Sequence, residues 1–265
     1  MKNLAFKQLL PIILTIFTFL VLSTALYALL LFLNIFPLKD LIVLDFRKRD
    51  LLIGIAIYLK TAIDFAIFIG NLMHTNPGWK KRIAIEFGTA LGNALGTFLI
   101  LTVWVFFKEV PLLLVAMIFI ASVVLFRMAE ESLEEFLKQR ESFIRMKRPV
   151  GLLQEQLNFV NKIFRPILKL SFANLVIFSI TIPFLLGLDN FAGYIPLFSI
   201  VNLFGFSVGV MLGHMILNIG LFAMPRVTVK VVRHPFVLVI GGVAFVALGI
   251  WGIYESVNTL LTVIR

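Results

Sequence analysis

Gly187-Leu188-Asp189-Asn190-Phe191-Ala192-Gly193-Tyr194-Ile195-Pro196-Leu197-Phe198 holds the only Asp, Glu, Lys or Arg between Lys169 and Arg226, so Asp189 is the sole charge in 56 residues. The run from Leu170 to Pro225 is too long for one bilayer crossing, which takes ~20 residues, and fits two long ones. Two crossings joined by a short connection reverse near the middle of the run, where Ser199, Asn202 and Gly205 supply turn-compatible residues. Asp189 then stands about ten residues before the turn, ~15 Å along a helix and near mid-bilayer. A competing reading makes Asp189-Asn190 itself the turn, since both residue types favour turns. That reading leaves the 34 largely apolar residues from Phe191 to Met224 to strong tilt or an extra interfacial piece. An ionisable group at mid-bilayer costs roughly 3 kcal/mol on insertion scales, which makes Asp189 a candidate functional residue.

Composition sets the class around this stretch. With 60% apolar and 14% charged residues, the chain reads as an all-α integral membrane protein with no soluble domain of useful size. Its net charge of +10 is therefore a matter of topology before it is a signal for nucleic acid, and no nucleic-acid partner is expected. The absence of cysteine excludes disulfides, thiolate metal sites and thiol redox chemistry.

Seven spans are expected along the chain. The first lies in the 31 uncharged residues between Lys7 and Lys39, too long for a signal-peptide core and without a clear cleavage site. A second covers about 51–73 and contains Lys60 and Asp64; a Pro77-Gly78 turn and the basic cluster Lys80-Lys81-Arg82 follow it. Third and fourth spans cover about 83–107 and 111–126. From Arg127 to Arg165 the chain turns acidic, then basic, with Leu133, Phe136, Leu137 and Arg140 at helical spacing, as in an amphipathic helix running on from the fourth span. The fifth and sixth spans are the halves of the 56-residue run, and the seventh starts at Pro235. The face with the N-terminus, the 74–82 connector, the central linker and the 225–234 connector carries 17 Lys and Arg, against 6 on the other. By the positive-inside rule the N-terminus and linker are cytoplasmic, in a bacterial or archaeal cytoplasmic membrane.

An internal repeat is legible in the spacing. Asp64 precedes Gly88 by 24 and Asn93 by 29, as Asp189 precedes Gly213 by 24 and Asn218 by 29. Pro111 and Pro235 open similar runs, each with a glutamate 20 further on, Glu131 and Glu255. Two units of three spans follow, about 51–131 and 176–255. Because three is odd, the second unit enters the membrane from the opposite side, giving an N-terminal helix plus two inverted three-helix repeats. The chain thus divides into an N-terminal helix and connector (1–50), a first repeat (51–131), an amphipathic linker (132–165) and a second repeat (166–265). The glycines are spaced for close helix packing. Asn93 and Asn218 stand symmetrically behind the aspartates, suited either to a ligand or to an interhelical hydrogen bond.

Gly187-x-Asp189-Asn190-x-x-x-Tyr194-x-Pro196-Leu197-Phe198 resembles the second signature of the cadmium-resistance transporter family, within the lysine-exporter superfamily. Thr61-Ala62-Ile63-Asp64-Phe65 is similar to that family's first signature, Thr-x-Ile-Asp-Asp, up to its last position. The resemblance spans roughly 51–258 and implies a metal-cation exporter with Asp64, Asp189 and Asn190 in the ion site. Phe65 removes one negative charge from the pattern, and Pro183 and Leu186 replace a Thr and an Asn. Lys60, one turn before Asp64, can pair with it on one helical face.

Asp64, Asp189, Asn190, Asn93 and Asn218 together make an oxygen-rich site, which by ligand hardness suits calcium, magnesium or manganese, with the two aspartates as metal ligands. Lys60, Thr61, Tyr194, His214 and Glu86 are candidate site-lining or coupling residues; a lone membrane His is more often bonded to a neighbouring helix, and Glu86 is placed to pair with Arg82. The expected function is secondary transport, export of a divalent cation by alternating access around a midplane site. Its partners are the lipid bilayer and the transported cation, without a resident cofactor, and a homo-oligomer is compatible. Export of an amino acid or other small organic solute is the rival reading, and a non-transporting membrane scaffold another. An enzyme is not expected: no His-Glu-x-x-His occurs, and His74, His214 and His234 are scattered.

Overall fold

The computed structural model describes the backbone of residues 2–38, 41–144, 171–199, 201–232 and 234–264, and their side chains except at 2–9, 11, 63, 64, 74, 138–144, 184–193, 199, 225, 226, 229 and 232. Every regular element in these residues is helical: α1 (Lys2–Leu33), α2 (Lys48–Thr61), α3 (Ile63–Thr75), α4 (Trp79–Phe107), α5 (Pro111–Ile144), α6 (Phe172–Tyr194), α7 (Leu203–Ala223), α8 (Pro225–Val232) and α9 (Pro235–Ile264). Among the described residues five helices are long and apolar enough to cross a bilayer, within α1, α4, α5, α7 and α9. Taken together, α2 and α3 have the length and composition of a further broken span or re-entrant loop, and α6 contributes a shorter apolar stretch, Phe172–Pro183. The protein is an all-α integral membrane protein.

The ends of these helices follow local chemistry. Proline opens α5, α8 and α9, where its missing N–H costs nothing. Gly78, at φ 111°, makes the turn into α4 in a backbone region that side chains rarely enter. Asn202 caps α7, its Oδ1 accepting from the N–H groups of Phe204 (3.0 Å) and Gly205 (3.1 Å). The 56-residue run does reverse where expected, after a 3₁₀ turn at Ile195–Ser199, and α6 stays helical through Tyr194. Asp189-Asn190 is therefore not the turn. The amphipathic stretch after the fourth span continues α5 as one helix to Ile144; the remainder of the linker lies outside the described residues.

A single unbroken second span was the expectation, and here the structure differs. The crossing breaks at Ala62, and its two parts bend by 66°. Thr61 Oγ1 donates to the Tyr58 carbonyl (3.1 Å), which also accepts from Ala62 N–H (2.9 Å). Such back-bonding by a threonine hydroxyl competes with the helical ladder and bends helices. The bend falls between Lys60 and Asp64, so the two do not share one face of a continuous helix.

Three pairings dominate the packing: α5 with α9, α4 with α6, and α2 with α7. In the α2–α7 pair, Gly205 lies by Asp50, Gly209 by Leu51 and Gly54, and Gly213 by Tyr58, so the two helices run parallel. In the α4–α6 pair, Gly88 lies by Ser179 and Gly92 by Pro183, again parallel. Gly242 lies by Ser132, Gly249 by Phe126 and Gly252 by Ser122, so α5 and α9 run antiparallel. Small residues let the backbones meet where lipid gives helices no hydrophobic reason to associate. α1 lies across α4 and α7.

Asp50 ties the start of α2 to the start of α7. It is fully buried, takes the Asn202 N–H at 3.0 Å on Oδ2 and pairs with Arg49 at 3.2 Å on Oδ1. Arg47 pairs with Asp45 at 2.8 Å, and this hydrogen bond holds the exposed Asp45 carboxyl below its usual range. The basic cluster at 47–49 is thus partly compensated by its own aspartates.

Backbone proximity makes a test. An alanine Cβ at Gly54 would meet Val210 N at 2.9 Å, whereas one at Gly242 meets Ser132 Cβ at an ordinary 3.4 Å. Gly54→Ala is expected to cost about 1–3 kcal/mol and Gly242→Ala little, read as thermal unfolding in detergent.

Candidate functional site

The glycine contacts decide which polar side chains meet. Gly54 and Gly209 bring α2 and α7 together, and one turn further Tyr58 reaches His214, with Oη 2.5 Å from Nδ1. Asn218, one turn beyond His214 on α7, donates Nδ2–H to His214 Nε2 (2.9 Å) and lies 3.4 Å from Thr89 Oγ1 on α4. Tyr58 Oη and Asn218 Nδ2 thus occupy the two ring nitrogens of His214. The ring is held in one orientation by two neighbours.

The chain of contacts continues on α4 and reaches α1. Thr89 donates to the Glu86 carbonyl (3.0 Å), and the Glu86 carboxylate takes a hydrogen bond from Thr15 Oγ1 of α1. Next to it is a small cavity between α1, α4 and α7, lined by Thr15, Phe19, Asn93, Met211, His214 and Met215. Two acceptors in this region are buried without a partner, Glu86 Oε2 and Asn218 Oδ1. Ser179 and Ser207 hydroxyls are likewise buried without partners.

Four of the candidate residues therefore converge: Asn93, Asn218, His214 and Glu86. Of the two roles open to Asn218, the interhelical hydrogen bond is formed, and His214 is bonded to a neighbouring helix. Glu86 does not pair with Arg82. The guanidinium of Arg82 lies instead over the Phe222 ring, 5.6 Å from its centroid, a cation–π contact, while Thr15 holds the carboxylate.

A second group gathers where α2 breaks. Tyr194 is buried against the Phe206 ring (5.3 Å between centroids), and its hydroxyl hydrogen-bonds with Thr61. Lys60 is 8% exposed; its stem lies against Gly241 of α9 and its Nζ is 6.0 Å from the Phe245 centroid. Asp64 is the second residue of α3, and Asp189 and Asn190 lie in the last turns of α6. The side chains of these three are outside the described set. Among the described residues no three His, Asp or Glu side chains gather as metal ligands.

Tyr58, Thr89 and Thr15 were not singled out from sequence. Thr89 could have been, since it precedes His214 by the same 125 residues that separate Asp64 from Asp189. Thr15 sits in α1, outside the repeat, and carries no such signal. No family model, curated protein or solved structure matches the chain.

Removing the Tyr58 hydroxyl leaves His214 Nδ1 buried without its hydrogen-bond partner. Tyr58→Phe is expected to destabilise the protein by about 1–3 kcal/mol. A double-mutant cycle with His214→Phe, followed by thermal unfolding, should return a non-additive coupling between the two.

Proposed function

We propose that the protein is a secondary transporter built from two inverted three-helix units, about 51–131 and 176–255, preceded by α1. The observation that carries this reading is a pair of contacts. A Cβ on Gly88 would stand 3.3 Å from Ile180 N, and one on Gly213 would stand 3.3 Å from Ile55 O. Each contact maps onto the other by the offset that takes Asp64 to Asp189.

The helix directions support the same reading. Exchanging the units turns the α2–α7 pair into the α6–α4 pair and the α5–α9 pair into itself. Inversion requires the first two pairs to be parallel and the last antiparallel, because three crossings reverse the second unit. A direct repeat would reverse every one of those relations. Inverted repeats commonly hold substrate near the bilayer midplane beside interrupted helices. The break at Ala62 stands two residues before Asp64, and Pro183 stands six residues before Asp189.

Seven crossings, a cytoplasmic N-terminus and linker, and the division into 1–50, 51–131, 132–165 and 166–265 belong to this proposal. As cargo we propose a divalent metal cation, held by Asp64 and Asp189 with Asn190, on the strength of the two signature-like segments. Cation binding neutralises the aspartates and permits the units to rock; release follows when the site opens to the other side. A second reading, export of a small organic solute, draws support from the apolar wall that Phe19, Met211 and Met215 give the cavity.

Flux into proteoliposomes tests the proposal, with manganese, calcium, zinc and cadmium offered to the wild type, Asp64→Asn and Asp189→Asn. Metal flux in the wild type, reduced at least about tenfold by either change, is the expected result; tenfold corresponds to about 1.4 kcal/mol. Intact flux in both variants sinks the aspartate site. Absence of metal flux in the wild type, with uptake of an amino acid, would favour the organic solute.

A further inference from the structure

Glu86 is a carboxyl that the proposed aspartate site does not use. It is 1% exposed, and it shares one face of α4 with Thr89, Ala90 and Asn93, beneath α1. Thr15 of α1 donates to Oε1, and Oε2 is buried with no partner. Across the contact that Thr89 makes with both sides, the fully buried Asn218 also holds an unpartnered acceptor, Oδ1. The repeat offers no counterpart, since the matching position on α7 is Met211.

An ionised carboxylate enclosed with one hydrogen bond and no ion pair is strongly disfavoured. Two kinds of cation could neutralise it. A hard metal ion takes six or more oxygens or keeps its waters, and the side chains lining the adjoining cavity offer only two, those of Thr15 and Asn93, beside a wall of Phe19, Leu22, Met211 and Met215. A proton needs only Oε2. The neutral acid keeps Thr15 as donor to Oε1 and presents an O–H on the side where Glu86 now has an acceptor without a donor.

The charged and titratable groups around it are few. On α4 itself, Lys80 and Lys81 stand in the first turn, and Arg82, one turn before Glu86, lies over Phe222 with its Nε buried and without a hydrogen-bond partner. His214 on α7 is engaged by Tyr58 and Asn218. The described side chains of α1 include Tyr27, those of α6 Tyr194, and those of α3 none that titrates; α5 brings Arg127, Glu130, Glu131, Glu134 and Glu135, with Arg127 and Glu131 paired in the open. Lys2, Lys7, Asp64, His74, Lys138, Arg140, Glu141 and Asp189 have side chains outside the described set.

We propose that Glu86 is the proton-carrying group of this protein, a coupling site separate from the aspartates, with Thr15 of α1 holding it in place. This rests on the transporter reading for its purpose but not for its chemistry. Hydronium from one side gives up its proton, an O–H bond forms at Oε2, and water remains. Release breaks that bond and passes the proton to water on the other side, restoring the carboxylate. The α1 helix, which stands outside the repeat, is thereby the cover of a proton site.

The test uses the purified full chain. In proteoliposomes loaded with a manganese-quenched dye, an imposed pH gradient should drive manganese accumulation by the wild type. Glu86→Gln, shaped like the neutral acid, should lose that accumulation while keeping manganese exchange at equilibrium. Accumulation equal to the wild type overturns the proposal, and so does loss of exchange by a folded variant, which would put Glu86 in the cation path. Infrared spectra supply a readout independent of transport: the wild type should show a protonated-carboxyl C=O stretch that Glu86→Gln lacks. Thr15→Val should move that band to higher wavenumber as Oε1 loses its donor, which also serves if Glu86→Gln does not fold. Should the wild type carry no manganese, the band alone decides the proton site. Its presence and its response to Thr15→Val support the proton site, and its absence overturns it.

Discussion

Close approach of backbones at glycine is the constraint on which the other contacts depend. Gly54 against Gly209, and Gly88 and Gly92 against α6, put helix axes nearer than larger side chains would allow. Every polar contact of the buried cluster lies within a turn or two of one of these crossings. Tyr58 reaches His214 because Gly213 leaves room beside its ring. In hydrocarbon a polar side chain without a partner is costly, so the glycines decide the chemistry as much as the packing.

Two polar neighbourhoods result, and they differ in kind. Around His214 both ring nitrogens have hydrogen-bond partners, and the ring is fixed in orientation. Such an arrangement orients side chains and resists change. Around Glu86 the matching is incomplete, with an oxygen left over on each of two helices. The break in α2 adds a third kind of local device, where Thr61 serves both the bend and Tyr194. These features occupy different levels along α2, α4 and α7 and are joined by ordinary helix turns.

Much of this was legible before the structure, for reasons tied to particular residues. Span positions follow from uncharged runs, and the reversal near Asn202 follows from the length of the run around Asp189. Asn93 and Asn218 were readable as a pair because a shared spacing places them on two different helices, whereas the sequence offered His214 only as a possible site-lining residue. What escaped was set by contacts between distant segments. Thr15 has no periodic or compositional mark, and its role exists only because α1 lies over α4. Arg82 and Glu86 have the spacing of an ion pair, yet Phe222 on another helix draws the guanidinium away. The break at Ala62 has no mark in the sequence, since a back-bond like the one Thr61 makes there is also made by Thr97, Thr102 and Ser122 inside unbroken helices.

Asp50 adds a mechanical consequence. Its buried carboxylate closes the starts of α2 and α7 together at a part-buried hydrogen bond to the Asn202 N–H, where the positive end of the α7 dipole adds to the attraction. Any relative movement of the two helices that keeps this bond has its fulcrum there. Thr61 lies eleven residues along, ~17 Å of helix, so a few degrees of swing at Asp50 become a displacement of an ångström or so at the bend. The leverage of the pair is then fixed by geometry: small at the pinned end, and greatest where Lys60, Thr61 and Tyr194 meet.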